Sequence, residues 1–189
     1  MRALAAPCSA ILTMALLLAG CASTPHAARP SQAGASAFTL DGRIAVKWDG
    51  KHSSGGFHWL HDAESDDITM LAPLGVTVAH IRRDAHGASL EASGKQYAAA
   101  DSGELMQQAL GWQLPLEGLP YWVLAQPMPG TPASMERDAN GQIRQLQQDG
   151  WDIRYTAYSA ANLDSLPLRM TLQREKLEIR LVVDEWKTK

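Results

Sequence analysis

The run Leu18-Ala19-Gly20-Cys21, closing an apolar stretch near the N-terminus, constrains this chain more than any other feature. Arg2 supplies a positive start, Ile11 to Leu18 an apolar centre, and two small residues precede the cysteine. That order is a secretory signal whose cleavage site ends in cysteine instead of Ala-x-Ala. It predicts a bacterial lipoprotein in which Cys21 takes lipid on its sulfur and cleavage frees its amine for a further acyl chain. A membrane-spanning anchor is the competing reading. Pro7, Cys8 and Ser9 interrupt the run, and what remains is shorter than the roughly 20 apolar residues a span requires. Residues 1–20 are therefore expected to be removed. Each buried CH₂ contributes roughly 0.8 kcal/mol, so several acyl chains on Cys21 make a practically permanent anchor.

Residues 22–37 are small, polar and punctuated by Pro25 and Pro30, with no apolar period. They read as a tether of roughly 20–24 Å average span, taking ~5–6 Å × √n for such a chain. Residues 38–189 are long enough for one domain with a real core. The whole chain carries −3, one unit more negative once Arg2 leaves, and has no Lys/Arg run. That leaves no electrostatic footprint for nucleic acid. Of the two cysteines, Cys8 leaves with the signal and Cys21 is lipidated, so no disulfide or thiolate metal site is expected.

From Phe38 onward the dominant period is two. Ile44, Val46 and Trp48 alternate with polar or small residues, as do Phe57 and Trp59, Ile68 and Met70, and Trp151, Ile153 and Tyr155. Val76 and Val78 continue the pattern after a Pro-Leu-Gly turn. Leu177, Ile179, Leu181 and Val183 form the last apolar face. Alternation of this kind marks antiparallel strands with one buried face. Asp49-Gly50, His86-Gly87, Ser93-Gly94, Asn140-Gly141 and Asp149-Gly150 fall between the runs, where hairpins need positive φ.

One stretch departs from the pattern. Asp101-Ser102-Gly103-Glu104 resembles a capping box, Leu105, Met106, Ala109 and Leu110 share a helical face, and Gly111 can end the helix. Pro120 can open a second short helix through Tyr121 to Leu124. The fold class predicted is mainly β with short helices: one antiparallel sheet of about eleven strands, curved into an incomplete half-barrel. A helical lid would cover its apolar interior.

Catalytic signatures are missing: no phosphate-binding glycine loop, no nucleophile elbow, no His-Glu-x-x-His. His52, His58 and His61 lie close together, but His58 falls on the face opposite Phe57 and Trp59, and His52 in the preceding turn. No metal and no cofactor are expected. Glu64, Asp66 and Asp67 read as a solvated turn, and Asp184 and Glu185 as a strand end. The six tryptophans suit core packing or a ligand cavity. Nothing argues for an enzyme. The informative loop is Ala72-Pro73-Leu74-Gly75. Pro73 and Gly75 force a tight reversal, yet its tip is leucine. An isolated exposed leucine is ordinary; in a protein tethered at a bilayer, the same residue can dip into the interface.

Taken together, these features resemble the LolB family of outer-membrane lipoprotein receptors. The resemblance rests on Leu40-Asp41-Gly42-Arg43-Ile44-Ala45-Val46, Gly55-Gly56-Phe57-His58-Trp59, Ala72-Pro73-Leu74-Gly75 and Leu110-Gly111-Trp112-Gln113-Leu114-Pro115-Leu116. Tyr121-Trp122, Gln148-Asp149-Gly150-Trp151 and Leu166-Pro167-Leu168-Arg169-Met170 continue it in order. It implies an eleven-stranded half-barrel with a helical lid over a hydrophobic cavity. Its implied partners are the periplasmic carrier LolA, cargo lipoproteins and outer-membrane lipid. The chain would be a monomer on the outer membrane of a Gram-negative bacterium, lipid-anchored and facing the periplasm. Pro73, Leu74 and Gly75 would form the membrane-engaging loop, and Ala22 fits release to the outer membrane. Ile44, Val46, Phe57, Trp59, Ile68, Met70 and Ile179 would line the acyl-chain cavity, with Leu105, Leu110 and Trp122 as lid. Residues 22–37 lack the amphipathic segment that members often carry before the first strand. The alternative from another class is a structural envelope lipoprotein docked permanently on a partner protein.

Overall fold

The period-two pattern is realised as eleven strands and two short helices. They are β1 (Phe38–Trp48), β2 (Lys51–His61), β3 (Asp66–Leu71), β4 (Thr77–Asp84), β5 (Gly87–Ala92) and β6 (Lys95–Ala99); α1 (Ser102–Leu110) and α2 (Leu119–Val123); then β7 (Ala133–Arg137), β8 (Ile143–Gln148), β9 (Trp151–Tyr158), β10 (Pro167–Arg174) and β11 (Leu177–Thr188). The computed structural model describes residues 36–188, except Pro115, Leu163 and the side chain of Leu110. Cys21 and the tether lie outside the described residues.

All strands pair antiparallel in one sheet ordered β6-β5-β4-β3-β2-β1-β11-β10-β9-β8-β7. Two-residue turns make five of the hairpins, three of them ending in glycine. Asp49-Gly50, Ser93-Gly94 and Asp149-Gly150 all have positive φ at both positions, the geometry that matches the twist of the flanking strands. Because Asp49 and Gly50 suffice for the first turn, His52 lies within β2 opposite Lys47, not in the turn as expected.

The order has a topological consequence. β6 and β7 are the two free edges of the sheet, and the chain between them, residues 100–132, carries both helices. That segment has to cross from one edge to the other, so it passes over the inner face. α1 starts where its capping residues predict: Asp101 Oδ1 accepts from the Glu104 amide at 2.9 Å. It ends at Gly111, φ 78°, whose N–H donates to the Gln107 carbonyl.

Eleven strands laid flat would span roughly 50 Å at ~4.8 Å per strand. Instead, Ile81 and Leu90 from one flank and Leu146 and Ile153 from the other share one core with Leu105, Trp122 and Val123. The sheet is therefore curled around its lid. Gly42 assists this: a Cβ there would meet the Val182 carbonyl at 2.4 Å and the Phe57 ring at 3.1 Å.

One expected face is reversed. β4 sets Ile81, buried, and Ala79, half-buried, on the inner face opposite Ile68 and Met70, leaving Val78 and the preceding Val76 exposed. Val78 alternates with Ala79 and Ile81 and so points outward, at the place where a bulge between Met70 and Leu71 interrupts the ladder.

Candidate functional site

The seven residues predicted to line the cavity fall on one face. Val46 opposes Ile179, Phe57 opposes Met70, Trp59 opposes Ile68, and Ile44 lies two residues from Val46 on the same side of β1. Phe57, Trp59, Ile68 and Ile179 are buried. Ile44, Val46 and Met70 are only half-buried. The difference marks where the lid ends.

The interior is closed. α1 inserts Leu105 and Met106, α2 inserts Trp122 and Val123, and Leu114 and Leu116 fill the space between them. The expected hollow is therefore occupied by the lid's own side chains. A cleft of about 220 Å³ remains between the lid segment and the start of β9. The predicted lid residue Leu110 closes α1, and its side chain lies outside the described residues.

The two helices are held differently. The indole N–H of Trp122 donates to Gln148 Oε1 at 2.8 Å, and the Gln148 amide donates to the carbonyls of Met128 and Thr131. The Tyr155 hydroxyl donates to the Trp122 carbonyl at 2.7 Å. α2 and the chain after it are thus bonded to the sheet through β8 and β9. The side-chain hydrogen bonds of α1 stay within its own turn and caps, as in Gln107 to Gly111 and Gln108 to Glu104. What holds α1 to β5 and β6 is apolar contact. Gln148 and Tyr155 were invisible as lid anchors in the sequence, since nothing local distinguishes them from other strand residues.

Burial holds the Tyr155 phenol well above its ordinary range, and burial, with Asp138 adding, pushes Tyr158 up to about 12. The fold favours neutral phenols. The contribution of Tyr158 to stability is complete below about pH 10, where unfolded tyrosine begins to ionise, and is lost as pH rises through about 12; that of Tyr155 is lost in the same direction. Alkaline unfolding is expected to set in over that interval.

The loop after β3 has a geometry its residues do not prefer. The Gly75 amide donates to the Ala72 carbonyl at 2.9 Å, closing a four-residue turn with Pro73 second and Leu74 third. Leu74 has φ 99° and is fully exposed. A proline-led turn with positive φ at its third residue favours glycine there, and an L side chain in that region costs on the order of 1 kcal/mol. Val76 and Val78 continue the exposed apolar surface along β4. A strained, projecting leucine thus stands beside two outward valines.

The profile described as "LolB: Outer membrane lipoprotein LolB" matches residues 36–186. The chain belongs to the LolB family. Among its relatives, the outer-membrane lipoprotein LolB of Chromobacterium violaceum is 38% identical, covering 93% of this chain and 96% of the relative. That of Thiobacillus denitrificans is 38% identical over 94% and 96%. A crystal structure of a LolA superfamily protein from Nitrosomonas europaea aligns with a TM-score of 0.54 at 10% identity, covering 83% of this chain and 88% of that one. That likeness is one of fold.

The polar side chains of this LolB relative are sorted by face. His58 lies on the outer face, 2.6 Å from Asp41, and His80 lies 2.6 Å from Asp67. His61 is buried on the inner face against Asp66 at 2.7 Å. The clustered histidines of β2 therefore do not converge on one point. Asp66 corrects the sequence reading: it is no solvated turn acid but a buried carboxylate. It also accepts from Trp59 Nε1 at 2.8 Å and Arg83 Nε at 2.7 Å.

Proposed function

We propose that this chain accepts lipoproteins from the periplasmic carrier LolA and inserts them into the inner leaflet of the outer membrane, acting as a lipid-anchored monomer. The observation that carries the reading is the pairing of a closed apolar interior with a lid helix, α1, held to the sheet by apolar contact. An acyl chain entering beneath α1 replaces lid side chains with CH₂ groups of similar character. Exposing Leu105 and Met106 costs about 1.5–3 kcal/mol each, while each buried chain CH₂ returns roughly 0.8 kcal/mol. Roughly four to eight inserted CH₂ groups therefore offset the two displaced lid residues, and a longer chain holds the lid open. The lid competes with cargo for the same space, so its closure favours release once a bilayer offers a better apolar solvent. No covalent or nucleotide-driven step is required.

Ile44, Val46 and Met70, half-buried at the uncovered end, form the entrance in this reading. The loop Pro73-Leu74-Gly75 brings that entrance to lipid. The test is reconstitution: a cargo lipoprotein loaded on its carrier is mixed with this protein and vesicles, and the cargo is followed. Transfer to the vesicles is expected only with this protein present. A purified domain that takes up no fluorescent fatty-acyl probe would favour the docking lipoprotein instead.

The lid makes its own prediction. Leu105→Ala removes packing from α1 without touching the entrance, and large-to-small core changes cost about 2–5 kcal/mol where the site cannot collapse. Uptake of the acyl probe, followed by stopped-flow fluorescence, is expected to become severalfold faster. An unchanged uptake rate would show that α1 is not the moving part.

A further inference from the structure

Building on the acyl-carrier reading, we propose that the indole N–H of Trp151 is the donor that receives the carbonyl at the head of a bound acyl chain. Trp151 opens β9 and is only 2% exposed. Its Nε1 is buried and has no hydrogen-bond partner among the described residues. Three other indoles of the domain are partnered: Trp59 donates to Asp66, Trp122 to Gln148, and Trp186 to the Pro167 carbonyl. A buried donor without an acceptor costs stability. A phenylalanine would fill much of the same space without that cost. The unused N–H therefore calls for an acceptor that is absent from the closed state.

The position of the ring says which acceptor. Trp151 lines the 220 Å³ cleft, with Leu114 and Leu116 of the lid segment opposite. It also lines a second cleft of about 170 Å³ beside Gly111 and Trp112. The ring thus sits where the lid segment parts from the sheet. Its neighbour Trp122, 6.0 Å away between ring centroids, has its own N–H engaged. An acyl chain is hydrocarbon except at one end, where a carbonyl oxygen accepts but cannot donate. A tail lying under α1 with its carbonyl against β9 would satisfy the orphaned N–H, while the charged and amide side chains that also line the cleft, Asp101, Gln113, Glu117, Asp149 and Arg174, would lie beside the hydrated head. Ester and amide carbonyls share this chemistry.

The test compares three probes that displace a fluorescent fatty-acyl ligand from the intact protein: methyl hexadecanoate, N-methylhexadecanamide and hexadecane. One neutral hydrogen bond is expected to favour the carbonyl compounds by roughly three- to tenfold over hexadecane. Trp151→Phe is expected to erase that preference, read as the ratio of carbonyl compound to hexadecane within the same variant. A preference confined to the ester assigns the site to glycerol-linked chains; one confined to the amide assigns it to the N-linked chain. On the unsubstituted protein, the indole proton of Trp151 is expected to shift downfield with a carbonyl probe and not with hexadecane. That measurement decides the matter even should the variant fail to fold. Preference retained in Trp151→Phe, or an indole resonance unmoved by both carbonyl probes, overturns the proposal. Failure of all three compounds to displace the ligand overturns the carrier reading itself, a separate outcome.

Discussion

Leu74→Glu is expected to fold as the parent does, to accept cargo, and to deliver it to a bilayer roughly ten- to a hundredfold less well. Burying one leucine contributes about 1.5–3 kcal/mol, and each 1.4 kcal/mol is tenfold. Leu74 makes no packing contribution to the fold, being fully exposed at the turn, so its loss is confined to whatever the loop touches. Glutamate adds the cost of bringing a charge to the interface. Leu74→Gly sharpens the test. With φ at 99°, glycine relieves the backbone, and stability is expected to rise by about 1 kcal/mol. Delivery is nonetheless expected to fall, because the side chain is gone. A variant that is more stable and less active is the signature of a residue retained against the preference of its own backbone. Vesicle flotation and cargo transfer measure one half, thermal unfolding the other. Delivery by Leu74→Gly equal to the parent's would remove the side chain from the mechanism.

What could be read from the sequence was local. Asp49-Gly50 and Asp149-Gly150 need positive φ, and Asp101 needs only the amide of Glu104, so the hairpins and the α1 start follow from residues within a few positions. The inner face of β1, β2, β3 and β11 followed from period-two alternation. Even the Leu74 backbone was partly legible, since Pro73 presets the turn. The misses depended on register or on distant partners. Val76 and Val78 are exposed because β4 pairs Ala79 and Ile81 with Met70 and Ile68 on the inner face, and alternation alone does not say which phase of residues 76–81 is buried. Asp66 looked like one of several turn acids because its cation, Arg83, is on the next strand, directly opposite only once that register is set. Whether the lid lies inside the hollow or above it is a question of packing volume, which composition does not encode. Gln148 belongs to the same class: its amide matters through Trp122, Met128 and Thr131, none of them near it in sequence.

The Asp66 network supplies the largest expected effect on stability. The carboxylate is fully buried and holds three partners, Trp59, His61 and Arg83. Removing one member of a buried charged set strands the others, at about 3–5 kcal/mol, against a total domain stability of about 5–15 kcal/mol. Asp66→Ala is therefore expected to lower the thermal midpoint on the order of 10 °C, given about 2–4 °C per kcal/mol at this domain size. The Arg43–Asp184 pair is the control. Its bond lengths, 2.8 and 3.0 Å, are as good, but both side chains are largely solvent-exposed. Asp184→Ala should leave the midpoint almost unchanged, because water already screens the pair. Equal effects of the two substitutions would mean the buried set is not structural. Asp66→Leu combined with Arg83→Met should recover part of the loss, since apolar replacement of a whole buried pair is often tolerated. The consequence reaches the membrane loop. β3 is only six residues long, with Asp66 at one end and the Ala72–Gly75 turn following the other. Loosening its anchored end loosens the strand that aims Leu74, so Asp66→Ala should also weaken delivery at temperatures where the domain is still folded.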